Sequence, residues 1–459
     1  MSSSRWSCVV QRLAPMWQRA AAFLRQRLQL VDARLYHAVS PSSWWGRALF
    51  VSLALGASLA VVALALLADL AAELYVHATS GLLWLPLILM PAGFALCRWL
   101  VGRFFGGTEG SGIPQVIAQI RDSDHYGREA AGRVGAWRAF GKVLLTPLSL
   151  LIGASAGREG PSVFVGAALM HAERRWRVIR RIASDRQLLV AGGAVGIAAA
   201  FNTPLGGIMF AIEELSEKHR FRANAATLSA VVMAGLCSLA LMGNYLYFGR
   251  SHDSLNIFSQ LHVVILCGVL GGGGGALFSW LALNWRRLMP GRLRALAHSR
   301  AILFAALCGL GAGLLAFLSA GVVAGSGYEA AHGVISGEAG IPLWYAPAKL
   351  LATLLTFMSG ISAGIFAPSL SIGAGLSALA AQLAPGVPGG VLAVLCMVSY
   401  LAGLTHAPIT AFTVVMEMTD NHALLIPLMA AAVIGQMTAR ILRQEPVYHG
   451  LAARLPRGG

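Results

Sequence analysis

Charge-free apolar runs recur along the chain, beginning with Ala48–Ala68 and Gly81–Leu96 and ending near residue 440. About 20 residues at 1.5 Å each cross a hydrocarbon core of roughly 30 Å. The pattern therefore predicts an all-α polytopic membrane protein. Several other apolar segments are too short to span: Gly112–Ile120, Glu159–His171, Pro204–Leu215, Pro368–Leu379 and Pro408–Met418. Each opens at or near Gly or Pro, residues that start or end helices rather than continue them. A half-spanning helix brings unpaired backbone N–H groups into the membrane, which is tolerated where they are buried in protein or face a ligand. The same pattern divides the chain into a basic amphipathic arm over residues 1–44, expected to be cytoplasmic, a membrane domain over 45–453 and a short tail over 454–459 that leaves no room for a regulatory domain.

Composition strengthens this picture. The chain is 57% hydrophobic and 12% charged, with a mean hydropathy of +0.67, far from the polar surface a soluble domain of this length needs. The net charge of +16 is gathered in short segments at 5–34, 98–103, 174–186, 218–222, 286–300 and 440–457. Short basic loops mark the cytoplasmic side of membrane proteins, and such loops also attract anionic lipid. A nucleic-acid surface would interleave basic and aromatic residues on one face, so no nucleic-acid partner is expected. The six cysteines stand singly, without CxxC spacing or a disulfide framework. Arginine outnumbers lysine, and Ala and Gly abound, which fits a GC-rich bacterial genome. The predicted location is a bacterial inner membrane, with both termini cytoplasmic.

Two stretches repeat. Phe201-Asn202-Thr203-Pro204-Leu205, with Glu213 nine residues after its proline, matches Thr405-His406-Ala407-Pro408-Ile409, with Glu417 nine residues after its own. Upstream, Gly157-Arg158-Glu159-Gly160-Pro161 aligns with Gly364-Ile365-Phe366-Ala367-Pro368, and the two offsets, 204 and 207 residues, nearly agree. Matching Gly/Pro-interrupted segments in two halves point to a binding site near the bilayer midplane. With Gly110-Ser111-Gly112-Ile113-Pro114, three such motifs occur. Each combines glycine, for close backbone approach, with proline in a first helical turn. A helix start offers free N–H donors and about half a positive charge, which suits a reversibly bound anion. Glu159, a carboxylate in an intramembrane segment, is costly and is a functional candidate by default; as a residue type it could also simply complement the helix dipole.

These three motifs, in this order, resemble the chloride channel and transporter (CLC) family, and the likeness covers the chain from about Trp45 to Ala453. The resemblance implies a homodimer in which each subunit has its own pore. Each subunit would comprise two inverted halves, about 45–250 and 255–453, with about 18 α-segments of unequal length. It implies that the Ser111 hydroxyl, the amides of Ile365 and Phe366 and the Tyr448 hydroxyl hold chloride. Glu159 would be gate and outer proton acceptor, and Glu214 the inner proton acceptor of exchangers. The selectivity-filter motifs would be Gly110, Gly112, Ile113 and Pro114; Gly157, Arg158, Gly160 and Pro161; and Gly364, Ala367 and Pro368. Without the resemblance, Tyr448 reads as an interfacial aromatic anchor and Glu214 as a helix-end carboxylate paired with the basic residues after it. Glu213 and Glu417 read as structural, at helix ends or a dimer interface, and Arg158 as a structural or long-range electrostatic partner.

The function expected is chloride/proton antiport, with chloride, protons and membrane lipid as partners. Ser111 in place of proline favours chloride over nitrate, and Tyr448 argues against the fluoride-specific branch, both by family resemblance. The alternative is a passive chloride channel on the same scaffold. A remote alternative is an intramembrane serine hydrolase, since Gly153-Ala154-Ser155-Ala156-Gly157 fits GxSxG and His406 could be imagined as its base. The strand-turn-helix setting that motif needs is missing, so no enzyme is expected. Gly271–Gly275 lacks the Lys-Ser/Thr ending of a phosphate loop and reads as close helix packing. The histidines show no paired metal spacing; neither a metal nor a cofactor is expected.

Overall fold

The computed structural model describes residues 41–455 except 127–131, 173, 175, 181–182, 217–224, 244–245, 250–254, 256 and 339. The arm expected over 1–44 therefore lies outside the described residues up to residue 40, as do the basic run 218–222 and residues 456–459 of the tail. Of two units, Met1–Phe50 and Val51–Gly459, the second holds every Gly/Pro motif. The described chain is helical. The first half contains α1 (Pro41–Ser80), α2 (Pro86–Phe104), α3 (Ile113–Tyr126), α4 (Ala136–Leu151), α5 (Glu159–Ala172), α6 (Asp185–Phe201), α7 (Pro204–Phe210) and α8 (Ala225–Met242). The second contains α9 (Ile257–Leu288), α10 (Gly291–Ser299), α11 (Ala301–Leu318), α12 (Tyr328–Ile335), α13 (Tyr345–Met358), α14 (Phe366–Gly375), α15 (Ser377–Leu383), α16 (Gly389–Thr405), α17 (Pro408–Thr419), α18 (Leu425–Ile441) and α19 (Val447–Arg454).

Among the described residues, five helical stretches are long and apolar enough to cross a membrane. Helices α3, α5, α7 and α17 are shorter, where Gly/Pro punctuation predicted half-spanning segments, whereas the segment expected from Pro368 falls within the 18-residue stretch Phe366–Leu383. The interior includes small polar residues, with Ser149, Thr146, Ser155, Thr353 and Ser362 buried, while Leu66, Leu70, Leu310 and Leu314 are exposed. That arrangement suits a lipid surround, where small polar residues join helices and leucines meet acyl chains. The glycine run Gly271–Gly275 lies inside α9, where a Cβ on Gly272 would meet the backbone of Gly435 at 2.5 Å and one on Gly275 the Tyr400 carbonyl. Close helix packing is its role.

The repeat is visible residue by residue. Helices α6 and α16 both end in a left-handed residue, Asn202 (φ 56°) and His406 (φ 60°). The next residues, Thr203 and Ala407, share φ/ψ near −120°/80°, and a proline then opens α7 and α17. The two halves also cap each other. Glu417 accepts from the Leu205 and Gly206 amides at 3.1 and 2.7 Å, and Glu213 accepts from the Thr410 amide at 2.6 Å. Each carboxylate thus sits on the N-terminus of the other half's short helix, where the dipole favours it. Glu213 and Glu417 are helix-end residues, one of the two structural roles expected. Hydrogen bonds to a charged group contribute about 1.5–3 kcal/mol each. Glu417→Ala should therefore lower the thermal midpoint of the purified protein clearly, by a loss of about 2 kcal/mol or more. A differential scanning measurement showing an unchanged midpoint would refute the capping role.

Candidate functional site

The three Gly/Pro motifs converge. Gly157 and Gly364, equivalent residues of the two halves, form an antiparallel bridge with N–H···O distances of 2.8 and 3.0 Å. The Gly110 amide donates to the Ile361 carbonyl at 2.9 Å, and the Gly110 carbonyl accepts from the Ala363 amide. The starts of α3, α5 and α14 are thereby tied together by backbone alone. Two glycines make room at the junction. A Cβ on Gly160 would overlap the Ser111 hydroxyl, and one on Gly157 would overlap the Glu159 carboxylate. Pro114, Pro161 and Pro368 all fall in the first turn of their helices, where a missing N–H costs nothing.

Glu159, at the first position of α5, is fully buried, and its Oε2 accepts from the Ala367 amide at 3.3 Å. It therefore occupies the N-terminus of α14, the helix opened by Ile365 and Phe366. The amides of those two residues have no earlier carbonyl of their own helix to bond. Phe366 is held by an aromatic group, its ring 5.4 Å from that of Phe201, which in turn lies 5.3 Å from Tyr247. Among the described residues, Ser111 Oγ, Glu159 Oε1 and Tyr448 OH are buried without a hydrogen-bond partner. Ser111 abuts Gly160, and the Tyr448 hydroxyl lies within electrostatic reach of both Glu159 and Glu214. Buried polar atoms are rarely left alone, and two of these are hydroxyls that can donate to an anion.

Glu214 lies in one turn of π-helix, Ala211–Leu215, that follows α7. The wide turn directs the adjacent glutamates to different partners. Glu213 reaches α17, whereas Glu214 is buried, with its Oε1 3.8 Å from Nε2 of His449 on α19. The pairing of Glu214 with the basic residues 218–222, suggested by sequence alone, lies outside the described residues.

Residues 93–440 match the family described as voltage gated chloride channel. The chain belongs to the CLC family. It is 31% identical over 400 residues to the H+/Cl− exchange transporter ClcA of Yersinia pseudotuberculosis, covering 82% of this chain and 80% of that one. It is 30% identical over 384 residues to ClcA of Vibrio cholerae, covering 81% and 80%. The structure of a slow cyanobacterial Cl−/H+ antiporter has the same fold, with a TM-score of 0.72 at 24% identity over 91% of this chain and 98% of that one. A CLC-type fluoride/proton antiporter also shares the fold, with a TM-score of 0.72 at 22% identity, covering 90% and 99%.

Other residues of this CLC chain fall into clear structural places. Arg158 donates to the Ala65 carbonyl at 2.7 Å, pairs with Asp69, and lies over the Tyr247 ring. It is thus a buried structural cation beside the site. The hydrolase idea fails. A CLC transporter is not an enzyme, the Ser155 hydroxyl bonds Thr353 at 2.9 Å, and His406 caps α16 with its carbonyl taken by Gln436. Sequence reading missed two buried lysines. Lys142 donates to the Gly110 carbonyl next to Ser111. Its repeat mate Lys349, 207 residues on, donates to the carbonyls of Val323, Ala324 and Gly325 at 2.9, 3.3 and 2.8 Å. The loop that Lys349 holds, Gly325-Ser326-Gly327, mirrors Gly110-Ser111-Gly112: φ is 63° and 60° at the first glycines and 104° and 78° at the second.

Proposed function

We propose that this CLC transporter exchanges chloride for protons. The observation that carries the reading is the Glu159 carboxylate on the Ala367 amide, at the N-terminus of α14. An anion drawn to that helix start competes with Glu159 for the same donors. Protonation removes the charge that holds Glu159 there, so proton uptake and anion entry become alternatives at one position. Ser111, Tyr448 and the amides of Ile365 and Phe366 would hold chloride through neutral donors, weakly enough for release. Glu159 would exchange protons with the outside, and Glu214 with the cytoplasm. The basic loops support a cytoplasmic side for Arg286, Arg440 and Arg454. Relatives named as H+/Cl− exchange transporters support the same assignment.

The location proposed is a bacterial inner membrane, and the assembly a homodimer. Leu205 on α7 and Ile409 on α17, equivalent residues of the two halves, are both exposed, and such an apolar pair suits an interface between copies. The test of function is coupled flux in proteoliposomes without other ion gradients. An inward chloride gradient should drive protons outward and build up a proton gradient that was absent at the start. Chloride flux that leaves pH unmoved would identify a passive channel, and proton movement driven by fluoride but not by chloride would overturn the substrate.

A further inference from the structure

We propose that His449 relays protons between cytoplasmic water and Glu214. The proposal rests on the reading of Glu214 as the inner proton acceptor. The Glu214 side chain is only 2% exposed, so a proton must reach it through another group or through water. His449 spans that gap: its Nε2 lies 3.8 Å from Glu214 Oε1, yet 42% of its side chain remains exposed. Histidine is the side chain whose charge ordinarily changes between about pH 5 and 8, so it both takes and gives protons in the cytoplasmic range.

The surroundings favour this route. His449 directly follows Tyr448 on α19, so one helical turn carries both the hydroxyl of the anion site and the imidazole beside the proton site. Gly450 completes the turn, and a Cβ there would press on Leu283 of α9. On α19 itself, Arg454 is held by Glu445 at 3.0 Å. On α3, which packs against α19, Asp122 is held by Arg133 at 2.7 Å with Arg121 at 3.7 Å. Helix α9 brings Arg286 and Arg287 in its last turn, and α16 carries no charged residue. The other glutamate of the π-turn, Glu213, is turned toward the Thr410 amide. The inward step is balanced: Nδ1 of His449 takes a proton from cytoplasmic water, and Nε2 gives its own to the Glu214 carboxylate. Exchange with water, one proton lost from Nδ1 and one gained at Nε2, then restores the starting tautomer, and the outward step runs in reverse.

The experiment is coupled chloride/proton flux in proteoliposomes for the full chain carrying H449Q, H449A or E214Q, with the cytoplasmic-side pH varied from about 5 to 8. The relay predicts that H449Q slows proton transport by about 100-fold and flattens its dependence on cytoplasmic pH. It also predicts that added imidazole restores proton transport in H449A, which a merely structural loss would not show. H449Q with the wild-type rate and pH profile, or an H449A deficit that imidazole leaves in place, overturns the relay. E214Q separates the two readings. If E214Q stops protons while both His449 variants transport them normally, the relay alone fails. If E214Q itself transports protons normally, the assignment of Glu214 fails and the relay with it.

Discussion

Glu159→Gln is expected to cut proton transport by about 100-fold or more, the scale of a positioned proton-transfer group, while chloride continues to cross. The substitution keeps the size of the side chain and removes its charge. An uncharged amide cannot compete as an anion for the Ala367 N–H, nor can it take up a proton in the range where a carboxyl does. Chloride would then meet the start of α14 without a rival. The dependence of chloride flux on outer pH should vanish in the same variant. Simultaneous recording of chloride and pH in proteoliposomes reads both outcomes, and proton transport surviving at the wild-type rate would sink the mechanism.

Glu214→Gln should remove proton transport to a similar extent, but by a different route and with a different signature. Glu159 remains in place, so the gate still responds to the outside. Chloride flux in Glu214→Gln should persist and should still fall as outer pH rises, because the deprotonated Glu159 occupies the anion position. The pair of variants therefore separates the gate from the inner acceptor by one measurement, the outer-pH profile of chloride flux. A flat profile in Glu214→Gln, or retained proton coupling, would show that the buried carboxylate of the π-turn has another role.

Much of this was legible in the sequence because the site is written in backbone chemistry. Glycine and proline are the residues that govern where helices start, so the short segments beginning at Glu159, Pro204 and Pro408 appear as helices at those residues. The segment expected from Pro368 begins at Phe366 instead, since a proline in the first turn marks a helix start only to within a residue or two. The aligned motifs of the two halves are in contact, as their shared offset suggested. What stayed hidden was polar and scattered. Lys142, Thr146 and Ser149 lie at i, i+4 and i+7 on α4, and Lys349, Thr353 and Thr356 repeat the spacing on α13. Each set lies along one helix face, but inside apolar stretches that read simply as membrane helix. The signal was the same 207-residue offset already found for the Gly157 and Gly364 motifs. The mirrored loop Gly325-Ser326-Gly327 escaped because its offset from Gly110-Ser111-Gly112 is 215 residues, so a fixed register passes over it. His449 has no motif around it, and only the turn of α19 brings it beside Glu214.

The hydroxyls bridging the halves reach beyond the site itself. Ser155 meets Thr353, and its repeat mate Ser362 meets Thr146 at 3.2 Å and accepts from Ser149 at 3.0 Å. With the Gly157–Gly364 bridge and the crossed glutamate caps, these contacts stitch the two halves together around the ion path. Swinging one half against the other would break them all at once. In the exchange proposed above, access would then alternate through side chains such as Glu159 while the scaffold stays in place. On that mechanism the outline presented to the acyl chains would stay constant through the cycle, and bilayer thickness and tension would enter the turnover rate only weakly.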